Sequence, residues 1–469
     1  MIFQSLTYLL FLFFVLAIYW SLPRRAQNVL IVGASYIFYG WEHPWYLLPL
    51  WASTLVDYGC GLGMERFPAR RRWFLVASVV ASIALLGTFK YAGFAVENIN
   101  VALTQLGFDP IRSVMRLVLP AGLSFYTFQS LAYIVDVYRG RVRAERNLLD
   151  YALYVCFFPQ LIAGPIERAW HMLPQYRSQR IFDPTGWRGG LTLMLWGFFK
   201  KLVVADNVAV VANKVFALSH PTFPVIWAGV FAFAVQIYAD FSGYTDIARG
   251  TARLLGIELM KNFNHPYLAT SPADFWRRWH ISFSTWLRDF IYIPLGGSRC
   301  GAARASFNLM ATFAISGLWH GASWNYVLWG IYWGLLILAQ RFLRWLGITR
   351  AIPMLLKIAI TFGLTSFGWL LFRERNLTQI IHDLSQSPLA AGFGQWQIGL
   401  YLAVLISLYA SPLIVHLIAT VFVLPRWQSK IVLPEIGSFA VQSATAILLF
   451  LGIIAARSVV TSDFIYFQF

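Results

Sequence analysis

Long apolar runs recur along the whole chain, and no other feature constrains its fold as strongly. Of the 469 residues, 58% are hydrophobic and only 12% are charged. A helix needs about 20 apolar residues to cross roughly 30 Å of hydrocarbon, and about eleven or twelve runs approach that length. The runs lack the alternation of barrel strands, and a backbone in lipid must satisfy its own hydrogen bonds. The sequence therefore predicts an all-α, polytopic membrane helical bundle, a single domain over residues 1–469.

Short clusters of basic residues lie between the runs, at Arg24 and Arg25, at 66–72 and at 139–146. Under the positive-inside rule these clusters favour the cytoplasmic side, which leaves the N-terminus and the loop at 94–112 outside. The predicted spans lie at residues 2–22, 28–42, 45–64, 73–93, 113–136, 187–219, 225–252, 305–320, 322–345, 352–372, 396–423 and 438–457.

The net charge of +17 does not indicate nucleic-acid binding, because the basic clusters have the positions of cytoplasmic anchors beside membrane lipids. The three cysteines, Cys60, Cys156 and Cys300, are far apart in the sequence. They have neither zinc-type nor disulfide-framework spacing, so no metal site is implied.

The apolar segment at 149–166 contains Pro159, Gly164 and Pro165 and is flanked by basic residues on both sides. A re-entrant hairpin that enters and leaves on the cytoplasmic face fits this pattern better than a full crossing. Broken backbone at membrane depth is tolerated only inside protein or beside a water-filled cavity. The segment therefore indicates a central cavity.

The densest group of reactive side chains lies at 274–289, which is amphipathic at helical spacing. Arg277, Arg278 and Arg288 are too many charges for a helix that faces lipid. The segment is predicted to be either an interfacial helix held by its tryptophans and arginines, or a basic surface for an anionic donor. The residues predicted to assist such a surface are Lys200, Lys201 and Arg299.

A second candidate is the motif GLWHG at 317–321, in which His320 ends an apolar run. Ionisable groups inside a membrane usually face the bundle interior or a cavity. A neutral imidazole can take a proton from a hydroxyl as that hydroxyl attacks a thioester, and can return the proton to the leaving thiolate. The alternative, a packing histidine bonded to a carbonyl, stays open on composition alone.

Other intramembrane ionisable residues are predicted to be structural. Asp240 and Asp246 are not on one helix face, so each is expected to pair with an arginine or to cap a broken helix. Lys90, Asp136 and Asp206 lie near span ends, where snorkelling or capping is expected.

Several motifs together resemble one family. The run WRRWHISFSTWLRD at 276–289, followed by GLWHG, is similar to the signature of membrane-bound O-acyltransferases, and most similar to the bacterial branch that O-acetylates alginate. The further stretches that fit this branch are LPAGLSFYTFQ at 119–129, FPQLIAGP at 158–165, DFSGYTD at 240–246 and YFQF at 466–469.

The resemblance implies a bundle around a funnel or tunnel, with the family core at about 110–345. It implies acetyl-CoA as the cytoplasmic donor substrate, no permanently bound cofactor, periplasmic acetyltransferase partner proteins, an exported polysaccharide acceptor and the bacterial inner membrane. His320 corresponds to the catalytic histidine and His280 to a second functional position. The expected donor-binding residues are Trp276, Arg277, Arg278 and Arg288.

Several alternatives stay open. The resemblance does not separate alginate, cellulose and peptidoglycan as acceptors, and His320 could be the general base or the acyl carrier. A polysaccharide transporter or export channel would also use broken helices and buried ionisable groups, although the sequence lacks an inverted repeat. A scaffold that recruits a periplasmic acetyltransferase would leave His320 without a role.

Overall fold

The computed structural model of the protein describes residues 1–111, 118–423 and 435–465. Within these ranges the regular structure is helical and no strand occurs, so the predicted all-α class is confirmed. Two predictions fall on residues outside these ranges, namely the start of the helix expected at 113–136 and the YFQF motif at 466–469.

The helices follow the apolar runs of the sequence. Those of the first half are α1 Leu6–Tyr19, α2 Arg24–Gly40, α3 Leu47–Arg66, α4 Arg71–Leu86, α5 Ala92–Gln105, α6 Leu123–Tyr138, α7 Leu148–Cys156, α8 Phe158–Leu161, α9 Ala169–Arg177, α10 Pro184–Phe199 and α11 Asp206–Phe216. Those of the second half are α12 Phe223–Leu254, α13 Pro272–Arg278, α14 Ile281–Leu287, α15 Ala302–His320, α16 Trp324–Trp345, α17 Ile348–Ala351, α18 Met354–Arg373, α19 Leu377–Ser385, α20 Phe393–Ile418 and α21 Glu435–Ala456. The π-helical turns lie at Gly87–Tyr91, Lys200–Ala205, Arg288–Tyr292 and Ala419–Val423.

Six helical stretches of the described ranges are long and apolar enough to cross a bilayer, which makes the chain a multi-pass membrane protein. They are Pro68–Gln105, Phe223–Leu254, Trp324–Trp345, Met354–Arg373, Phe393–Val423 and Phe439–Ala456. Large apolar side chains such as Leu400, Leu408 and Leu448 are exposed on the outermost of these helices, as lipid-facing residues are. The predicted total of about eleven or twelve crossings stays a prediction.

The broken segment expected at 149–166 forms two short helices, α7 and α8, that meet at Phe157. Side chains bond the backbone groups near this break: the Phe158 N–H donates to Ser35 Oγ at 3.1 Å, and Gln160 Nε2 donates to the Tyr154 carbonyl at 2.9 Å. Every residue from 150 to 169 is buried. The irregular backbone thus lies inside protein, as membrane depth requires.

A buried ion cluster joins the middle of the chain to its end. Lys201 Nζ lies 2.9 Å from carboxylate oxygens of both Asp206 and Asp240, and all three side chains are almost completely buried. The same ammonium donates to the Ser462 carbonyl at 2.8 Å. Asp240 therefore pairs with a lysine rather than an arginine, and Asp206 does not snorkel. Lys201 is enclosed and cannot assist a donor-binding surface.

Helices α10 and α12 pack at backbone distance. A Cβ added to Gly197 would lie 2.6 Å from the Gly243 carbonyl oxygen and 2.7 Å from the Ile247 nitrogen. Small residues allow such an approach, which gains dispersion energy where lipid supplies no hydrophobic drive between helices. This contact fixes the π-turn that follows α10, and with it Lys201.

We expect Gly197→Ala to destabilise the bundle by about 1–3 kcal/mol, because backbone atoms of α12 would have to move. The matched control is Gly189→Ala in the same helix, since a Cβ at Gly189 meets no atom within 4 Å. Thermal unfolding in detergent measures both variants. A melting temperature for Gly197→Ala equal to that of Gly189→Ala would show that the contact is not restrictive.

Candidate active site

His320 ends α15 and lines a cavity of ≈ 450 Å³, called here the outer cavity. The loop between α2 and α3 borders it, and on the predicted topology that loop faces outside. The imidazole is only 4% exposed. The polar residues that line the outer cavity include Glu42, His43, Lys90, Ser124, His320 and Asp463. His320 therefore faces a cavity and not lipid.

Close packing of α15 on α16 determines where His320 lies. A Cβ on Gly317 would lie 2.1 Å from the Tyr326 carbonyl oxygen, so a side chain at this position would force the helices apart. The two helix backbones therefore approach each other closely beside His320. The aromatic rings packed around the imidazole, with centroids 5.0–5.4 Å away, are Phe283, Trp329 and Phe372.

His280 separates α13 from α14, where the sequence predicts one continuous amphipathic helix. Its φ of 43° lies in the left-handed region, which costs an L-residue roughly 1–2 kcal/mol. Asn262 holds the turn: its Oδ1 accepts from the Ser282 N–H at 3.1 Å and the Ser282 hydroxyl at 2.9 Å, and lies 3.2 Å from His280 Nδ1. Because this oxygen only accepts, Nδ1 carries a proton, and a neutral ring has its lone pair at Nε2.

One aromatic ring packs against both histidines. The Phe283 centroid lies 5.0 Å from that of His280 and 5.4 Å from that of His320, and the ring stacks on Trp319 at 4.3 Å. Both predicted catalytic residues thus meet at one place, although they come from different helices. Trp319 also packs against both, with its centroid 6.2 Å from that of His280 and 4.9 Å from that of His320.

A second cavity of ≈ 520 Å³, called here the inner cavity, lies between α10, α12, α20 and the segment 261–268. Asn262 lines it, so the inner cavity reaches the residue that holds His280. Asp246 lies 2.7 Å from Lys200 and 3.4 Å from Arg249, so it pairs with an arginine as expected and with a lysine as well. The charged residues and histidines that line the inner cavity are Lys200, Asp246, Arg249, Arg253, Lys261, His265 and His416.

The four expected donor-binding residues occupy three different environments, and none of them lines either cavity. Trp276 is buried against Trp329 and Trp333. The Arg277 side chain is 71% exposed and pairs with Asp274.

Arg278 also pairs with Asp274, and it meets the Asn264 carbonyl at the edge of the inner cavity. Arg288 is 60% exposed and pairs with Asp289, which also binds the buried Arg168 at 3.2 Å. Of the assisting residues, Lys200 lines the inner cavity, whereas Arg299 is exposed and lines neither cavity. Only Arg278 and Lys200 thus adjoin a cavity.

Three residues of this region were not singled out as functional candidates by the sequence. Lys90 was expected to snorkel or to cap, and its ammonium donates to the Trp319 carbonyl near the end of α15. Its position within an apolar run was a usable signal, because an intramembrane lysine is a functional candidate by default. Asn262 and Asp463 carried no such signal, since only the folded chain brings them beside the histidines.

Comparisons with known proteins identify the family of this chain. Residues 141–371, which contain both histidines, match the profile of the membrane-bound O-acyltransferase family. A probable alginate O-acetylase of Pseudomonas aeruginosa is 41% identical over 405 residues, which cover 85% of this chain and 76% of the relative. The chain belongs to the membrane-bound O-acyltransferase family. The predicted enzyme class, an O-acetyltransferase of this family, is thereby confirmed.

Two further relatives of this membrane-bound O-acyltransferase act on other polymers. A peptidoglycan O-acetyltransferase of Helicobacter pylori is 35% identical over 404 residues, covering 78% of this chain and 75% of the relative. A teichoic acid D-alanyltransferase of Bacillus subtilis is 26% identical over 348 residues, covering 70% of this chain and 83% of the relative.

Variants of His280 should remove the imidazole ring without adding strain at its left-handed backbone. Glycine and asparagine adopt the left-handed region readily, so His280→Gly and His280→Asn should retain the turn where His280→Ala strains it. We expect both variants to fold with near-normal melting temperatures and to lose most acyl transfer. The measurement is transfer activity beside thermal unfolding. Full activity in His280→Asn would show that the His280 ring has a structural role only.

Proposed function

We propose that this enzyme takes acetyl from cytoplasmic acetyl-CoA and passes it to the outer side of the bacterial inner membrane, for O-acetylation of an exported polysaccharide. One observation supports the proposal above the others. The inner cavity adjoins His280 through Asn262, the outer cavity adjoins His320, and the Phe283 ring packs against both histidines. Such a site suits a donor and an acceptor that arrive from opposite sides.

In the proposed reaction an acceptor hydroxyl in the outer cavity attacks the thioester carbonyl carbon. His320 takes the hydroxyl proton, a C–O bond forms and the C–S bond breaks. The thiolate of coenzyme A leaves and takes the proton back from the imidazolium. A positioned base of this kind contributes about 10² to 10⁴ in rate. A route in which His320 carries the acetyl group gives the same products.

The donor is proposed to dock at the mouth of the inner cavity. Arg249, Arg253 and Lys261 line this cavity and Arg278 lies at its edge, and such side chains recognise phosphates. Arg277 and Arg288 are exposed and can meet the nucleotide end of the donor only outside the cavity. Trp276 supports the site through packing.

The acceptor is proposed to be an alginate-like polysaccharide, with cellulose or peptidoglycan as alternatives. The support is the set of polymer-modifying relatives, whose names include alginate and peptidoglycan acetylation. The outer cavity, with a volume of ≈ 450 Å³, is too small to enclose a polymer. Periplasmic acetyltransferase proteins are therefore proposed as the partners that carry the acetyl group onward.

His320→Gln should reduce acyl transfer at least 10²-fold, because the amide cannot take up the hydroxyl proton. The measurement is release of free thiol from acetyl-CoA by the purified protein with a hydroxyl acceptor or a periplasmic partner. The control is His382→Gln in α19, because His382 lines neither cavity. Unchanged release in His320→Gln would reject the proposed role. A transporter or export channel would release no thiol even in the unaltered protein.

Lys261→Gln and Arg278→Gln should each raise the KM for acetyl-CoA several-fold and leave kcat nearly unchanged, because the groups bind phosphates away from the reacting atoms. The matched control is Arg344→Gln, an exposed arginine at the end of α16. Initial rates over a range of acetyl-CoA concentrations separate the two parameters. If only Arg288→Gln raises KM, the donor docks at the Asp289 cluster instead of the inner cavity.

A further inference from the structure

Lys90 lies in a π-helical turn, Gly87–Tyr91, between α4 and α5. Such turns inside long helices are rare and are often found at functional sites. The turn at Gly87–Tyr91 contains one more residue than an α-helical turn. The side chains of both Lys90 and Tyr91 contact the end of α15. The helix that presents His320 is thus held by a helix far away in the sequence.

Two donors of this turn bond the last carbonyl groups of α15. The Lys90 ammonium donates to the Trp319 carbonyl, and the Tyr91 hydroxyl donates to the Leu318 carbonyl at 3.1 Å. The ammonium also lies 5.5 Å from the centroid of the Trp319 ring. These contacts fix the two residues that directly precede His320.

These contacts supply hydrogen-bond donors to the carbonyl groups at the end of α15. The last carbonyls of a helix have no partner within it, and the helix dipole makes that end negative. Inside a membrane bundle such carbonyls need a donor from elsewhere in the protein, and a cation is favoured over a neutral donor. A lysine at this depth is costly to insert, so its presence beside the end of α15 marks it as a functional candidate.

Lys90 also lines the outer cavity together with His320. An ammonium has three donors, and the Trp319 carbonyl accepts from one of them. The positive charge is therefore held on the wall of the cavity where the proposed reaction places its acceptor. The cap and the catalytic histidine share one surface.

We propose that Lys90 is a positioning residue of the active site: with Tyr91 it caps the end of α15 and so holds the His320 imidazole in its reactive orientation toward the outer cavity. The proposal rests on the proposed role of His320. It assigns no contact between Lys90 and the acetyl group. Since a misplacement of about 1 Å can cost about 10² in rate, the effect should appear in kcat.

The experiment compares Lys90→Met, Lys90→Arg and Tyr91→Phe in the full-length protein, with free-thiol release from acetyl-CoA as the assay. We expect Lys90→Met to lower kcat about 10²-fold with an unchanged KM for acetyl-CoA, Tyr91→Phe to lower it several-fold, and Lys90→Arg to retain most activity. Lys214→Met, at an exposed lysine of α11, is the control for loss of a positive charge.

A chemical rescue separates positioning from a folding defect. In Lys90→Cys, the thiolate of the new cysteine displaces bromide from 2-bromoethylammonium and forms a C–S bond. The product is a side chain of lysine length that ends in an ammonium group. We expect this treatment to restore kcat. Treated Lys90→Ala controls for reaction at Cys60, Cys156 and Cys300, and it should remain inactive.

Three outcomes would overturn the proposal. These are normal kcat in Lys90→Met, a change confined to the KM of the acceptor, and failure of the alkylated Lys90→Cys protein to regain activity. The proposed function fails separately, if the unaltered protein releases no thiol or if His320→Gln remains active. The two proposals can therefore be rejected independently.

Discussion

Broken helices are stable in a membrane only where protein side chains satisfy the freed backbone groups, and in this chain such breaks surround the two histidines. Ser35 bonds the break at Phe157, Asn262 bonds the turn at His280, and Lys90 bonds the end of α15 beside His320. Irregular backbone is what allows side chains to point into a central space. The same hydrogen bonds that stabilise the fold therefore create the site.

The sequence was sufficient to predict an all-α bundle and the broken segment at 149–166. Lipid-facing helices require long apolar runs, and breaks in a helix are indicated by proline and glycine. His320 was also a candidate from the sequence, since an ionisable residue in an apolar run is costly, whereas His280 was singled out only through the resemblance. The turn at His280 was not predictable. It depends on Asn262, which lies 18 residues earlier and contacts the turn only after folding. The role of Lys90 likewise requires knowledge of which helix faces α15.

The arginines show a different limit of sequence reasoning. A dense basic segment predicts an anion-binding surface, but it does not show which charges are already neutralised within the protein. Asp274 pairs with both Arg277 and Arg278, and Asp289 pairs with Arg288, but of these three arginines Arg278 alone lies at the edge of a cavity. Lys201 is similarly occupied by Asp206 and Asp240. Position along the cavity wall, rather than local charge density, therefore decides which cations can meet a donor.

The presence of two separate cavities suits the proposed donor and acceptor, which would arrive from opposite sides of the membrane. The residues that line the outer cavity and those that line the inner cavity form separate sets in the described parts of the chain. A continuous water-filled passage would conduct ions and protons, and an export channel needs that passage to be open along its length. Acyl transfer needs only that a thioester and a hydroxyl meet at one imidazole, and aromatic rings such as Phe283 and Trp319 pack around His320.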